Sequence, residues 1–158
     1  MARARKVEVD CEAPFGLAAA RVVEWRAEEV FAHAAGVLDL EDVERVHDMR
    51  VATRRLRAAL EIFEPCFPPE QFGQALRDVK RLADALGERR DRDVAIAALN
   101  AFNDQMPAPD RRGVGSLIGE LRVEQEEANA NLAPLVDEQN LAALGESMEG
   151  LVAGARTG

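Results

Sequence analysis

The stretch "VHDMRVATRRLRAALEIF", Val46 to Phe63, reads as one amphipathic helix. At about 100° per residue, Met49, Ala52, Leu56, Ala59, Leu60 and Phe63 gather on one side. His47, Arg50, Arg54 and Arg57 fall in a stripe roughly 80° wide on the other. The same 3.6-residue apolar period recurs in nearly every window on either side, and no alternating β-branched run bounded by turn residues interrupts it. The fold expected is all-α, an antiparallel bundle of about five to six helices.

Working outward, a first helix is expected from about Gly16 to Leu38, with Asp39 or Asp42 capping the next. That second helix, about Leu40 to Glu64, is stopped by "EPCFPPE", whose prolines cannot continue it. A third is expected from about Pro69 to Leu86, broken at Gly87. Asp91 or Asp93 then caps a fourth, "VAIAALNAFNDQM". A polar helix follows over roughly Ser116 to Gln139, bent at Pro134, with a weak segment around Leu141 to Val152. The domain reading is an arm over 1–14, one helical domain over 15–153 and a frayed tail over 154–158.

The chain has 158 residues, 47% apolar, with 4% aromatics and no Tyr, so Ala and Leu supply most of the packing. Such a composition favours helix over sheet. Cys11 and Cys66 are far apart, which fits neither a metal knuckle nor a disulfide framework and suits a reducing compartment. No apolar run approaches a membrane span, and the basic start "MARARK" leads into acids rather than into an apolar core of a signal peptide. A cytoplasmic protein without cofactor or metal is expected.

The net charge of -9 is unevenly spread. Residues 1 to 44 hold 5 basic and 10 acidic side chains, a balance of -5; residues 45 to 92 hold 11 and 8, or +3; residues 93 to 158 hold 4 and 11, or -7. The middle third alone attracts anions. On the expected third helix Arg77, Lys80 and Arg81 cluster opposite Ala75, Val79, Leu82, Ala83 and Leu86, interrupted by Asp84. Packed side by side, the two helices would line one continuous basic surface, with Arg89, Arg90 and Arg92 at its rim. A charged helix face ordinarily serves solubility alone. Here, however, arginines on successive turns repel one another by a few tenths of a kcal/mol, on the order of the known like-charge cost. Arginine grips phosphate oxygens in bidentate fashion and keeps its charge near neutral pH. From His47 to Arg57 the ladder spans about 15 Å of helix axis, a length suited to an extended polyanion.

Together with "RDVKRLADALGERRDRDV", this stretch resembles the signature of the CHAD family, the conserved histidine α-helical domain. That family reads roughly H-x-x-R-V-x-x-R-R-L-R, then L-G-x-x-R-D-x-D-V. Here the first is met by His47, Arg50, Val51, Arg54, Arg55, Leu56 and Arg57, and the second by Leu86, Gly87, Arg90, Asp91, Asp93 and Val94. The resemblance implies a helical bundle that binds inorganic polyphosphate on a basic surface, without catalysis, often at polyphosphate granules in bacteria and archaea. Carried over residue by residue, the binding role falls on His47, Arg50, Arg54, Arg57, Lys80 and Arg90, with Arg77 and Arg81 added from the helical wheel. The family usually has two similar helical halves, and this chain resembles one. A homodimer is therefore expected, its Ala-rich first and fourth helices having more apolar surface than a small bundle covers.

Two rivals remain. His33, His47 with Asp48, and Asp91 or Asp93 mimic the order of HD-type metal phosphohydrolases, although the arginines around His47 would repel a divalent cation. An arginine ladder also suits a nucleic-acid backbone, but stacking aromatics are missing from the basic face. Both rank below polyphosphate. The segment "GELRVEQEEANANLAPLVDEQ" reads as a solvated helix, or as a mask over the basic face.

Overall fold

The computed structural model describes residues 6–8, 10 and 12–155. Of the expected arm, residues 1–5, 9 and Cys11 lie outside the described residues, as do 156–158 of the expected tail. The chain is all-α, with α1 (Phe15–Ala32), α2 (Val43–Phe63), α3 (Pro69–Gln105), α4 (Arg111–Leu132) and α5 (Glu138–Ala153). Short 3-10 turns at Glu64–Cys66 and Ala133–Leu135 each carry a proline, Pro65 and Pro134. No helix among the described residues is long and apolar enough to cross a membrane.

The first helix is shorter than expected. It ends at Ala32, and Gly36 turns the chain with a φ of 72°, a left-handed conformation open to glycine without steric cost. Arg45 of α2 reaches back to fasten the turn, its Nη1 donating to the Ala35 carbonyl at 3.0 Å. Its Nε donates to Asp42 Oδ2 at 2.8 Å, so Asp42 stands at the N-cap of α2 with its carboxylate spent on Arg45 rather than on the helix N–H groups.

A larger difference concerns Gly87, where a break was expected. The helix runs through it, and α3 is a single element of 37 residues, about 55 Å long. Glycine in a helix interior costs only about 1 kcal/mol relative to alanine. Against that, Val79, Leu82, Leu86, Arg89, Asp93 and Ile96 form an unbroken buried stripe on both sides of it. Asp91 and Asp93 are consequently mid-helix, and neither caps anything. Pro69 starts α3 in the first turn, where its missing N–H goes unneeded.

Helices α1 to α4 run antiparallel in turn, and α5 continues in the direction of α4 along the first half of α3. Phe15 meets Phe63 edge to face, with ring centroids 5.6 Å apart, where α1 begins and α2 ends. The core joins Val23 and Val30 of α1, Met49, Leu56 and Leu60 of α2, Ala75, Val79 and Leu86 of α3, and Leu144, Met148 and Leu151 of α5. Cys66 is buried there as a small apolar residue. The segment around Leu141 to Val152, expected to be weak, lies within the 16-residue helix α5. Asp137 caps α5 by accepting from the Asn140 backbone N–H at 2.7 Å.

The acidic α4 packs chiefly along the second half of α3. One polar cluster is sealed in that seam. Arg89, fully buried, donates through Nη1 to both carboxylate oxygens of Asp93, at 2.6 and 2.5 Å, and Gln125 Nε2 of α4 donates to Asp93 Oδ1 at 2.6 Å. Removing one member of a buried pair strands the other's charge. Asp93→Ala should therefore cost about 3–5 kcal/mol, a large share of a domain's total stability, whereas Asp91→Ala on the exposed side should change it by less than about 0.5 kcal/mol. Urea unfolding followed by circular dichroism checks both, and equal midpoints would contradict the clamp.

Candidate anion-binding face

The arginines of α2 stand where helical periodicity puts them. Arg50, Arg54 and Arg57 line one wall of an open groove of about 550 Å³ between α2 and α3. Arg54 is exposed, and Arg50 and Arg57 are half-buried. Within the described residues, no ion pair or side-chain hydrogen bond reaches the guanidinium of Arg50 or Arg54. Arg57 differs. Its Nε donates to Glu61 Oε1 at 2.9 Å, and Lys80 Nζ approaches the same oxygen at 3.8 Å. Glu61 thereby ties Lys80 of α3 to the end of the ladder. His47, half-buried, lies one turn before Arg50 on the same stripe.

The facing wall is not basic. It is built from Ala83, Asp84, Gly87, Glu88 and Asp91 of α3. The phase of the long helix explains this. At about 100° per residue Lys80, Asp84, Gly87 and Asp91 project toward α2, while Arg77 and Arg81 lie farther round. Arg81 lines a separate small hollow with Asp78, Leu135 and Asn140 against α5, and Arg77 is exposed, its Nη2 donating to Gln74 Oε1 at 2.7 Å. A wheel drawn over a helix ending at Leu86 stops before Glu88 and Asp91. The expected continuous basic surface therefore shrinks to one wall, with a row of carboxylates opposite. Gly87 forms the floor. A Cβ there would sit 3.9 Å from Arg50 Nε.

The three arginines expected at the rim have other partners. Arg89 is enclosed with Asp93, and Arg92 Nε lies 3.3 Å from Glu124 of α4. Arg90 turns to the start of α2, where its Nη1 donates to the Val43 carbonyl at 3.2 Å and its Nη2 lies 3.7 Å from Glu44. Reading Arg89 as buried was beyond the local pattern, because Gln125, which closes the cluster by donating to Asp93, is 32 positions from that aspartate. The i,i+4 pair with Asp93 was the only signal present.

The residues of the phosphohydrolase pattern are divided among three places. His33 lines a hollow with Asp42, Arg45 and Asp48 at the α1–α2 turn, Asp91 faces the arginine groove, and Asp93 is locked in the α3–α4 seam. The acidic C-terminal helices pack on α3 and α1.

In comparison with known proteins, the chain matches the family model "CHAD domain" over residues 21–158. It is also similar to the crystal structure of the CHAD domain from the plant Ricinus communis, at 25% identity and a TM-score of 0.71. That likeness covers 96% of this chain and 51% of the plant chain, so this chain spans about half the plant chain's length. No curated protein matches.

Arg90 and Arg54 should separate in a stability assay. Arg90→Ala removes a bond to the α2 backbone and should lower stability by about 1 kcal/mol, whereas Arg54→Ala should alter it by less than about 0.5 kcal/mol. Thermal or urea midpoints give the answer, and the reverse order would contradict this division of roles.

Proposed function

The chain belongs to the CHAD family, and from that premise we propose that it binds inorganic polyphosphate, without catalysis, along the arginine wall of α2. The observation that carries this reading is a groove with Arg50 and Arg54 unpaired and Arg57 on the next turn. Three guanidinium groups in line fit a chain of phosphates better than one small anion. Each can form charge-assisted, bidentate bonds to phosphate oxygens. Lys80 extends the contact past Glu61, and His47 stands at the opposite end. His33 and Asp48 line one hollow, but Asp91 faces the arginine groove and Asp93 is held in the α3–α4 seam, which supports a binding role over a hydrolytic one.

Arg50→Glu with Arg54→Glu should weaken polyphosphate binding by on the order of 100-fold or more, since each charged hydrogen bond is worth about 1.5–3 kcal/mol. Helicity should be unchanged. Isothermal titration with a long polyphosphate measures the loss, and undiminished affinity in the folded variant would refute the site. For the wild type, log affinity should fall linearly with log salt, with a slope of about three if each arginine displaces one counterion. No phosphate should be released during the titration, with or without Mg²⁺. DNA at equal phosphate concentration should compete weakly.

The carboxylate wall has an opposite effect. Asp84→Asn, Glu88→Gln and Asp91→Asn together remove three negative charges facing the arginines. Affinity should rise roughly tenfold at low salt, with the gain shrinking as salt screens the groove. A triple variant that binds no more tightly than wild type would show that the ligand does not enter between the walls.

A further inference from the structure

Helices α1 and α5 pack antiparallel, and the seam between them is not filled to the surface. Phe31 faces Gly145 at one end, and Glu24 and Val152 stand together at the other. Between these ends runs a groove of about 350 Å³ with an apolar floor, Ala27 and Phe31 from α1, Met148 and Val152 from α5. Gly145 helps to keep it open. A Cβ there would meet Phe31 Cζ at 3.8 Å, an ordinary contact, so packing would accept the alanine that a helix interior prefers.

The rim is acidic. Glu24 and Glu28 of α1 and Glu149 of α5 line the groove, all three exposed. Glu24 and Glu28 are one turn apart, where like charges destabilise a helix. Within the described residues, no ion pair or side-chain hydrogen bond reaches the carboxylate of Glu24 or Glu149. The groove also continues past the end of α5. A second hollow, of about 690 Å³, shares Glu24 and Val152 with the first and follows α1 back to Leu17, with Glu8 and Asp10 of the segment before α1 along it. Of the described residues lining the two hollows, Arg21 alone is basic, and its guanidinium lies 5.7 Å from the Trp25 ring. Leu17, Ala20, Glu24, Ala27, Glu28 and Phe31 fall within about 100° of the α1 surface, a stripe about 21 Å long.

We propose that the α1–α5 seam is a docking groove for a basic amphipathic helix of a partner protein. Shape and charge both select that occupant. A track about 21 Å long with an apolar floor takes a helix of about 14 residues by its apolar stripe. Carboxylates on both lips match Lys or Arg on either side of that stripe, and they disfavour an acidic or uncharged partner. Met148 in the floor adapts its shape to the side chains it meets. The same lips repel polyphosphate. The arginine wall lies between α2 and α3 and this groove between α1 and α5, so the two surfaces take ligands of opposite charge at separate places. The docking groove does not rest on the polyphosphate reading.

The probe is a labelled peptide of about 18 residues, with leucines at helical spacing and lysines flanking them, titrated with the full chain in moderate salt and followed by fluorescence anisotropy. It should bind saturably. A scrambled peptide of the same composition, and one with glutamates for the lysines, should bind at least about tenfold more weakly. Glu24→Gln with Glu149→Gln should weaken binding about fivefold, whereas Glu126→Gln with Glu127→Gln on α4, an equal loss of charge, should stay within about twofold. Gly145→Leu removes no charge and fills the groove. It should weaken the peptide about tenfold with unchanged circular dichroism and unchanged polyphosphate affinity, and the glutamine pair decides the matter even if this variant fails to fold. A wild type that ignores the peptide, or binds the scrambled or acidic one equally well, overturns the proposal. So does a glutamine pair on the rim that matters no more than the pair on α4, or a folded Gly145→Leu that binds as the wild type does. Two other occupants would also overturn it: a second copy, if the wild type sediments as a dimer that Gly145→Leu dissociates, and the chain's own residues 1–5, if Arg3→Gln with Arg5→Gln tightens peptide binding.

Discussion

The buried contact between Arg89 and Asp93, closed by Gln125, sets the relation between the two parts of the molecule. An arginine with no solvent exposure must be neutralised within its own neighbourhood, because an isolated ion inside a protein costs several kcal/mol. Asp93 answers from the same helix, and only if the helix is continuous from one to the other. Gln125 answers from α4, and only if α4 runs antiparallel in register. The cluster thus depends on both conditions, and Nε and Nη2 of Arg89, without hydrogen-bond partners among the described residues, leave little margin for a shift. Its position matters as much as its strength. It lies just past Leu86, where the main core ends and the α3–α4 arm begins.

An unbroken α3 explains the electrostatics of the groove. A continuous helix carries Asp84, Glu88 and Asp91 along the side that faces α2, so arginines and carboxylates confront one another across open space without closing into ion pairs. Arg57, by contrast, is partnered on its own helix by Glu61. Opposed walls of this kind moderate the local potential of an acidic protein, and an anion that enters must outcompete the carboxylates for the guanidinium groups. High charge density is then rewarded over any single charge. Arg90 and Arg92 illustrate that a cation near a basic patch need not belong to it, since each is committed to joining elements.

Much of this was legible in the order of residues. Periodicity located α2 and its ladder to within a few positions, because a helix of 21 residues with apolar and basic faces is a local pattern that neighbours cannot rephase. The prolines at 65, 68 and 69 ended it for steric reasons that act within one turn. The family signature was likewise local, spread over two short motifs. Gly87 misled because a glycine is a weak breaker, worth about 1 kcal/mol, and buried neighbours on both sides outweighed it. Of the two Ala-rich stretches expected to carry more apolar surface than the bundle covers, the first is mostly enclosed, with Ala19, Ala20, Val23 and Ala27 buried, whereas Val94 and Phe102 of the second are exposed.

The sequence by itself therefore determined the all-α class, the α2 helix, its arginine stripe and the family, each of which depends on interactions within a few turns of chain. Tertiary structure decided which basic residues share a surface. Lys80 joins the ladder through Glu61, Arg81 turns toward α5, Arg89 disappears into the α3–α4 seam, and a carboxylate wall stands opposite the arginines. These outcomes depend on the rotation and length of α3 relative to α2 and α4. That rotation is set by the packing of residues tens of positions apart, such as Asp93 and Gln125, whose proximity no local pattern encodes.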